Sequence, residues 1–101
     1  MADVPIRGIK EIVQAEEELF DRVWYDRKLV LQQRIKDGLE KDSPPEIRRG
    51  MLAGMKRVEA KYGGRAALRR YYKNDFEWGM INGKLSALRW VLGDEWDMLD
   101  T

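Results

Sequence analysis

Side chains able to do acid–base, nucleophilic or metal chemistry are few in this chain. It contains no histidine and no cysteine. The commonest general base, the commonest transition-metal ligand and every thiolate mechanism are therefore missing. Carboxylate oxygens remain as metal ligands, and they suit hard ions such as magnesium, calcium or manganese. The densest acidic group is Glu16, Glu17, Glu18 and Asp21, in which Glu18 and Asp21 form an ExxD pair just before Val23-Trp24-Tyr25.

The stretch EELFDRVWY, residues 17–25, locally resembles the all-α nucleotide pyrophosphohydrolases of the MazG kind. That resemblance implies a second carboxylate pair on a neighbouring helix, with all the acids facing inward around magnesium. No ExxE pair precedes Glu18, and the match covers under a tenth of the chain. Periodicity also places Glu18 and Asp21 opposite the apolar arc of their helix, facing solvent. We therefore expect no catalytic residue, no metal site, no cofactor and no enzyme.

Cations offer a second chemistry. Net charge is only +1, although 37% of residues are charged. The charge is uneven: residues 43–73 sum to +7, against −2 for residues 1–42 and −4 for residues 74–101. The basic run comprises Arg48, Arg49, Lys56, Arg57, Lys61, Arg65, Arg69, Arg70 and Lys73, with Tyr71 and Tyr72 embedded in it. Clustered cations bind phosphates, and aromatic faces stack on unpaired bases. Arg49, Lys56, Arg57, Lys61, Arg65, Arg69, Arg70 and Lys73 are thus candidates for nucleic acid or an acidic partner. The plainer account is a solvated face balanced by the acidic ends. No RNP, KH, zinc-finger or zipper signature accompanies the run.

Three smaller features bear on packing. Glu16, Arg27 and Arg34 fall within the apolar arc of the first helix, where charges are costly unless paired or set at a rim. Pairing across the interface with acids such as Glu77 or Asp94, or a place at its rim with the aliphatic stems buried, is the expected solution. Gly79 to Ser86 looks like a phosphate loop only superficially: its glycines are one residue too close, and no strand precedes it. Tyr25 and Leu29 point away from the first helix's apolar arc, which marks them as a small protein interface.

These residues sit on helices. Asp3 and Pro5 read as a helix start, and apolar residues from Ile9 to Ile35 recur at helical spacing without interruption by Pro or Gly. Ser43-Pro44-Pro45-Glu46 reads as a capping box with Pro44 in the first turn. Ile47, Met51, Met55, Val58 and Tyr62 follow as a stripe that Gly63-Gly64 ends. Residues 65–73 are helix-prone, and the spacing leaves open whether 65–92 is one helix or two. Asp75 is the expected cap of a last helix. That helix carries one seam of Trp78, Ile81, Leu85, Leu88 and Leu92, and a second of Phe76, Met80, Ala87 and Val91. Two seams predict packing on two sides. Gly79 and Gly83 inside it predict a close helix approach, because each costs about 1 kcal/mol. Trp96 and Leu99 are expected to dock back on the body.

The expected fold is all-α, one helical domain over residues 1–101. It is a small antiparallel bundle with a long helix over about 5–40, a second over about 44–62, a short basic segment, and a buried helix over about 76–92. Neither a leader nor a membrane span is legible, so the expected location is cytoplasmic. The expected role is a non-enzymatic interaction or assembly module, self-associating as a homo-oligomer or joined to a larger complex. A small nucleic-acid-binding or regulatory protein using residues 48–73 is the alternative.

Overall fold

A computed structural model describes residues 5–96 as four α-helices. They are α1 (Ile9–Lys36), α2 (Pro45–Tyr62), α3 (Arg65–Arg69) and α4 (Asp75–Val91). The described residues contain no strand. The all-α reading holds, and residues 65–92 resolve into two helices. Asp3 and Leu99 lie outside the described residues.

Helix α1 begins later than the sequence predicts. Gly8 is its N-cap, without a side-chain cap, and Pro5 precedes the helix. Helix α2 starts without the expected capping box. Its N-cap is Pro44, at φ −53° and ψ 151°, and no side chain caps the helix. The cause is the second proline, because a residue before proline is pushed away from helical backbone. Pro44 therefore cannot take the first helical position, and Pro45 does. Asp42 organises this turn instead, accepting from the Ser43 amide and from Arg48.

Gly63 and Gly64 separate α2 from α3, with φ of 87° and 98°. Both lie in the left-handed region that side chains other than glycine's rarely enter. The Gly64 amide returns to the Glu59 carbonyl at 2.7 Å, closing α2. Asn74, rather than Asp75, caps α4: its side chain accepts from the Glu77 amide at 2.9 Å. Glu77 in turn accepts from the Lys73 amide.

Packing is organised by α1. Its 28 residues span about 42 Å, and neither α2 nor α4 covers that length. Each pairs with α1, and α2 also pairs with α3. Leu19 and Val23 of α1 join Ile81 and Leu85 of α4, backed by Tyr72, Trp78 and Leu88. Tyr25 of α1 joins Met55, Val58 and Leu68, backed by Trp24, Leu29, Met51 and Tyr62. Val23 and Tyr25 are two residues apart, so they point to opposite sides of α1, and both are buried. The molecule is elongated as a result, at 59 × 29 × 28 Å.

Gly54 lies where α2 meets α1. A Cβ there would sit 2.8 Å from the ring of Trp24. At Gly50, one turn earlier, a Cβ would meet nothing within 4 Å. Gly50→Ala should therefore stabilise the chain by about 0.5–1 kcal/mol through helix propensity. Gly54→Ala should destabilise it by about 1–3 kcal/mol through overpacking. Urea unfolding of the two variants checks the opposite signs.

Candidate functional site

The acidic cluster of α1 lies at the joint between the two core clusters, and tyrosines engage it. The Tyr62 hydroxyl donates to Asp21 at 2.8 Å, and the Tyr72 hydroxyl donates to Asp26. Tyr25, on α1 itself, donates across to Glu59 of α2. Arg22 fills the space between: its Nε donates to Glu18 at 3.0 Å, and its guanidinium lies 3.8 Å from the ring centre of Tyr71 and 4.8 Å from that of Tyr62. Lys61 adds a contact to Asp21 at 3.6 Å.

This corrects one expectation. Asp21 is partly buried against Tyr62 and Lys61 of α2, and Glu18 pairs with Arg22 of its own helix, so neither is a free acid facing solvent. The solvent-facing side of an isolated helix wheel becomes an interface once a second helix docks there. Among the described residues, no three acidic side chains converge as a metal site would require.

Tyr25 and Leu29 need a similar correction. The sequence pattern marks them as a protein interface. Tyr25 is 1% exposed, and both residues belong to the chain's own α1–α2 core. The second face of α1 is real, and α2 fills it.

The charges within the arc of α1 settle individually. Glu16 meets Arg89 of α4 at 3.5 Å, and Arg34 meets Glu40 at 3.1 Å. Neither partner is Glu77 or Asp94. Arg27 is exposed on the surface.

The basic run forms an exposed ledge on α2 and α3. Arg49, Lys56, Arg57, Lys61, Arg65, Arg69, Arg70 and Lys73 are all exposed. Lys61 alone among them forms an ion pair with a described carboxylate. Among the described residues the acidic N-terminal segment meets the basic run at two places, Asp21 with Lys61 and Asp42 with Arg48.

Helix α4 presents the feature that sequence reasoning placed wrongly. Its seam of Ile81, Leu85 and Leu88 packs on α1. The second seam, on another side of the helix, remains largely exposed among the described residues. Phe76 is 76% exposed, Met80 46% and Val91 54%; Trp90, on the same side, is 56% exposed. A Cβ at Gly79 or Gly83 would meet nothing within 4 Å. Among the described residues no helix approaches closely at these glycines, and α4 is buried chiefly on one side. Trp96 meets Trp90 edge-on, with ring centres 5.6 Å apart, and stays largely exposed. The two rings together line a shallow, open apolar surface. Trp90 belongs to this face although the two-seam reading omitted it; its spacing of fourteen from Phe76, nearly four whole turns, was the available signal.

The tyrosine contacts carry a pH consequence. Burial pushes the Tyr25 hydroxyl from its ordinary value of 10.0 up to about 12, aided by its hydrogen bond to Glu59. Burial raises Tyr62 and Tyr72 as well, reinforced by Asp21 and Asp26 respectively. Raised acid pKa values mean that folding favours the neutral phenols. Their stabilisation is fully present below pH 10 and is lost as pH rises through the folded values. Chemical unfolding across pH 9–12 should therefore show stability falling above about pH 10. Tyr25→Phe should cost about 1 kcal/mol at pH 7 and make that alkaline fall shallower. An unchanged slope would show that Tyr25 does not contribute.

No protein-family model, curated protein or solved structure matches this chain.

Proposed function

We propose that the chain acts as a non-enzymatic helical interaction or assembly module, with the outer face of α4 as its docking surface. The observation that carries this reading is the seam of Phe76, Met80, Trp90 and Val91, exposed on the side of α4 opposite its packed seam. Single exposed apolar residues are ordinary, but a contiguous apolar face marks a contact surface. Glycines support the same reading. Gly79 and Gly83 weaken α4 without relieving any crowding in the chain, and small residues let another helix come close. The chemistry of the remaining residues offers little to catalysis: histidine and cysteine are absent, and the α1 acids engage tyrosines and cations.

A second reading rests on the basic ledge. Arg49, Lys56, Arg57, Arg65, Arg69, Arg70 and Lys73 lack ion pairs with described carboxylates, which leaves their field available to phosphates. That reading makes the chain a small nucleic-acid-binding or regulatory protein. Affinity for a mixed DNA and RNA pool would then fall steeply between about 50 and 200 mM salt. No binding at the lower salt sinks it.

The docking reading has its own test. Phe76→Ser combined with Met80→Ser should change the stability of the dilute, unassociated chain by no more than about 0.5 kcal/mol, as surface substitutions do. It should also abolish binding of a hydrophobic dye to that face. A loss of about 3 kcal/mol or more would mean the face belongs to the chain's own core, and the docking reading would fall.

A further inference from the structure

The four tyrosines of the chain fall into two groups. Tyr25, Tyr62 and Tyr72 each donate the hydroxyl to a carboxylate of the chain. Tyr71 does not: it is 43% exposed, and its hydroxyl forms no hydrogen bond with a described residue. Its ring is nonetheless held. The Arg22 guanidinium lies 3.8 Å from the ring centre, and Arg22 is itself fixed by Glu18 and by the Tyr62 ring. A shallow recess opens between the Tyr71 ring and the first half of α4, lined further by Glu77, Met80, Ile81 and Lys84. Arg22 takes no part in that lining, so the ring presents the recess with surface that Arg22 leaves uncovered.

The lining selects among ligands. Glu77 repels a bare anion, and Lys84 repels a bare cation. A flat ring with donors and acceptors along its edge suits both, and Met80, Ile81 and an aromatic ring suit its faces. A nucleobase is such a ring. Cations for its phosphates flank the recess. Arg70 and Lys73 neighbour Tyr71 in the sequence, both are exposed, and neither has an ion pair with a described carboxylate. The Lys73 amide donates to Glu77 at 3.0 Å, which sets Lys73 at the rim.

We infer that Tyr71 is a stacking platform for an unpaired base and that the chain's nucleic-acid ligand is a single strand, with one base in the recess and its adjoining phosphates on Arg70 and Lys73. The inference rests on reading the basic ledge as a nucleic-acid surface. Cations alone do not separate duplex from single strand, because both carry phosphates. The ring does: a paired base keeps its faces within the stack, whereas an unpaired base offers a face to an aromatic side chain. Arg22 holds the ring before a ligand arrives, which lowers the ordering cost of binding. Helix α3 argues the same way. It has five residues, less than two turns, and offers no length to lie in a major groove.

Fluorescence anisotropy of the full chain with a labelled strand of about 15 nucleotides, and with the same strand as a duplex, tests this at about 50 mM salt. The single strand should bind at least about fivefold more tightly. Tyr71→Ala should remove that preference, and Tyr71→Phe should keep it, since stacking needs the ring and not the hydroxyl. Arg70→Ser combined with Lys73→Ser should lower the slope of log affinity against log salt by about 0.7 for each charge removed. A strand carrying 5-iodouracil gives a readout that depends on no variant's folding: ultraviolet light should cross-link it to Tyr71 of the unaltered chain. Equal binding of strand and duplex, indifferent to Tyr71→Ala and with cross-links elsewhere, would overturn the stacking platform and leave the ledge as a plain phosphate surface. No binding of either form at low salt would remove the ledge reading and this inference together.

Discussion

The length of α1 is the constraint from which the rest of this architecture follows. A helix of 28 residues is longer than either arm that returns along it. Two arms therefore divide it, and they take different sides. The division is written in adjacent positions: Leu19 and Val23 serve α4, while Tyr25 and Leu29 serve α2. A helix buried on two opposite sides in two different halves cannot close a single round core. It yields two clusters joined by one rod, and it leaves α4 supported on one side only.

Where the two clusters meet, polar groups do the joining. Asp21, Arg22 and Asp26 lie along the edge of α1 between them, and Tyr62, Tyr71 and Tyr72 reach in from α2 and the loop after α3. Phenols suit this position because their rings cover apolar surface while their hydroxyls satisfy carboxylates. The arrangement ties the ends of α2 and α3 to α1 at fixed heights. It also accounts for acidic residues that resemble a catalytic cluster in the sequence. Their partners are the chain's own hydroxyls and cations.

The two ends of the charge distribution then separate by role. Acidic residues of α1 are absorbed internally, whereas the cations of α2 and α3 remain exposed. The apolar side of α4 is likewise turned outward. The outer seam stays half to three-quarters exposed in that arrangement.

Local physics made several features legible from the sequence alone. Helical periodicity marked α1, α2 and α4 within a few residues, and Gly38, Gly63 and Gly93 marked their ends, because only glycine accepts the backbone found there. The two seams of α4 were legible for the same reason. Cap identity was less so: Ser43 and Asp75 each matched a favourable pattern, but consecutive prolines moved one start and Asn74 supplied the other cap. What each face touches was decided by tertiary structure. A helix wheel distinguishes apolar from polar sides, yet it carries no record of which partner arrives. Tyr25 looked like surface until α2 covered it, and Phe76 looked like core although nothing in the described chain reaches it. The physical reason is common to both. Periodicity is a property of consecutive residues, whereas burial depends on the relative placement of segments more than thirty residues apart, and that placement follows from the lengths and competing faces of all the helices at once.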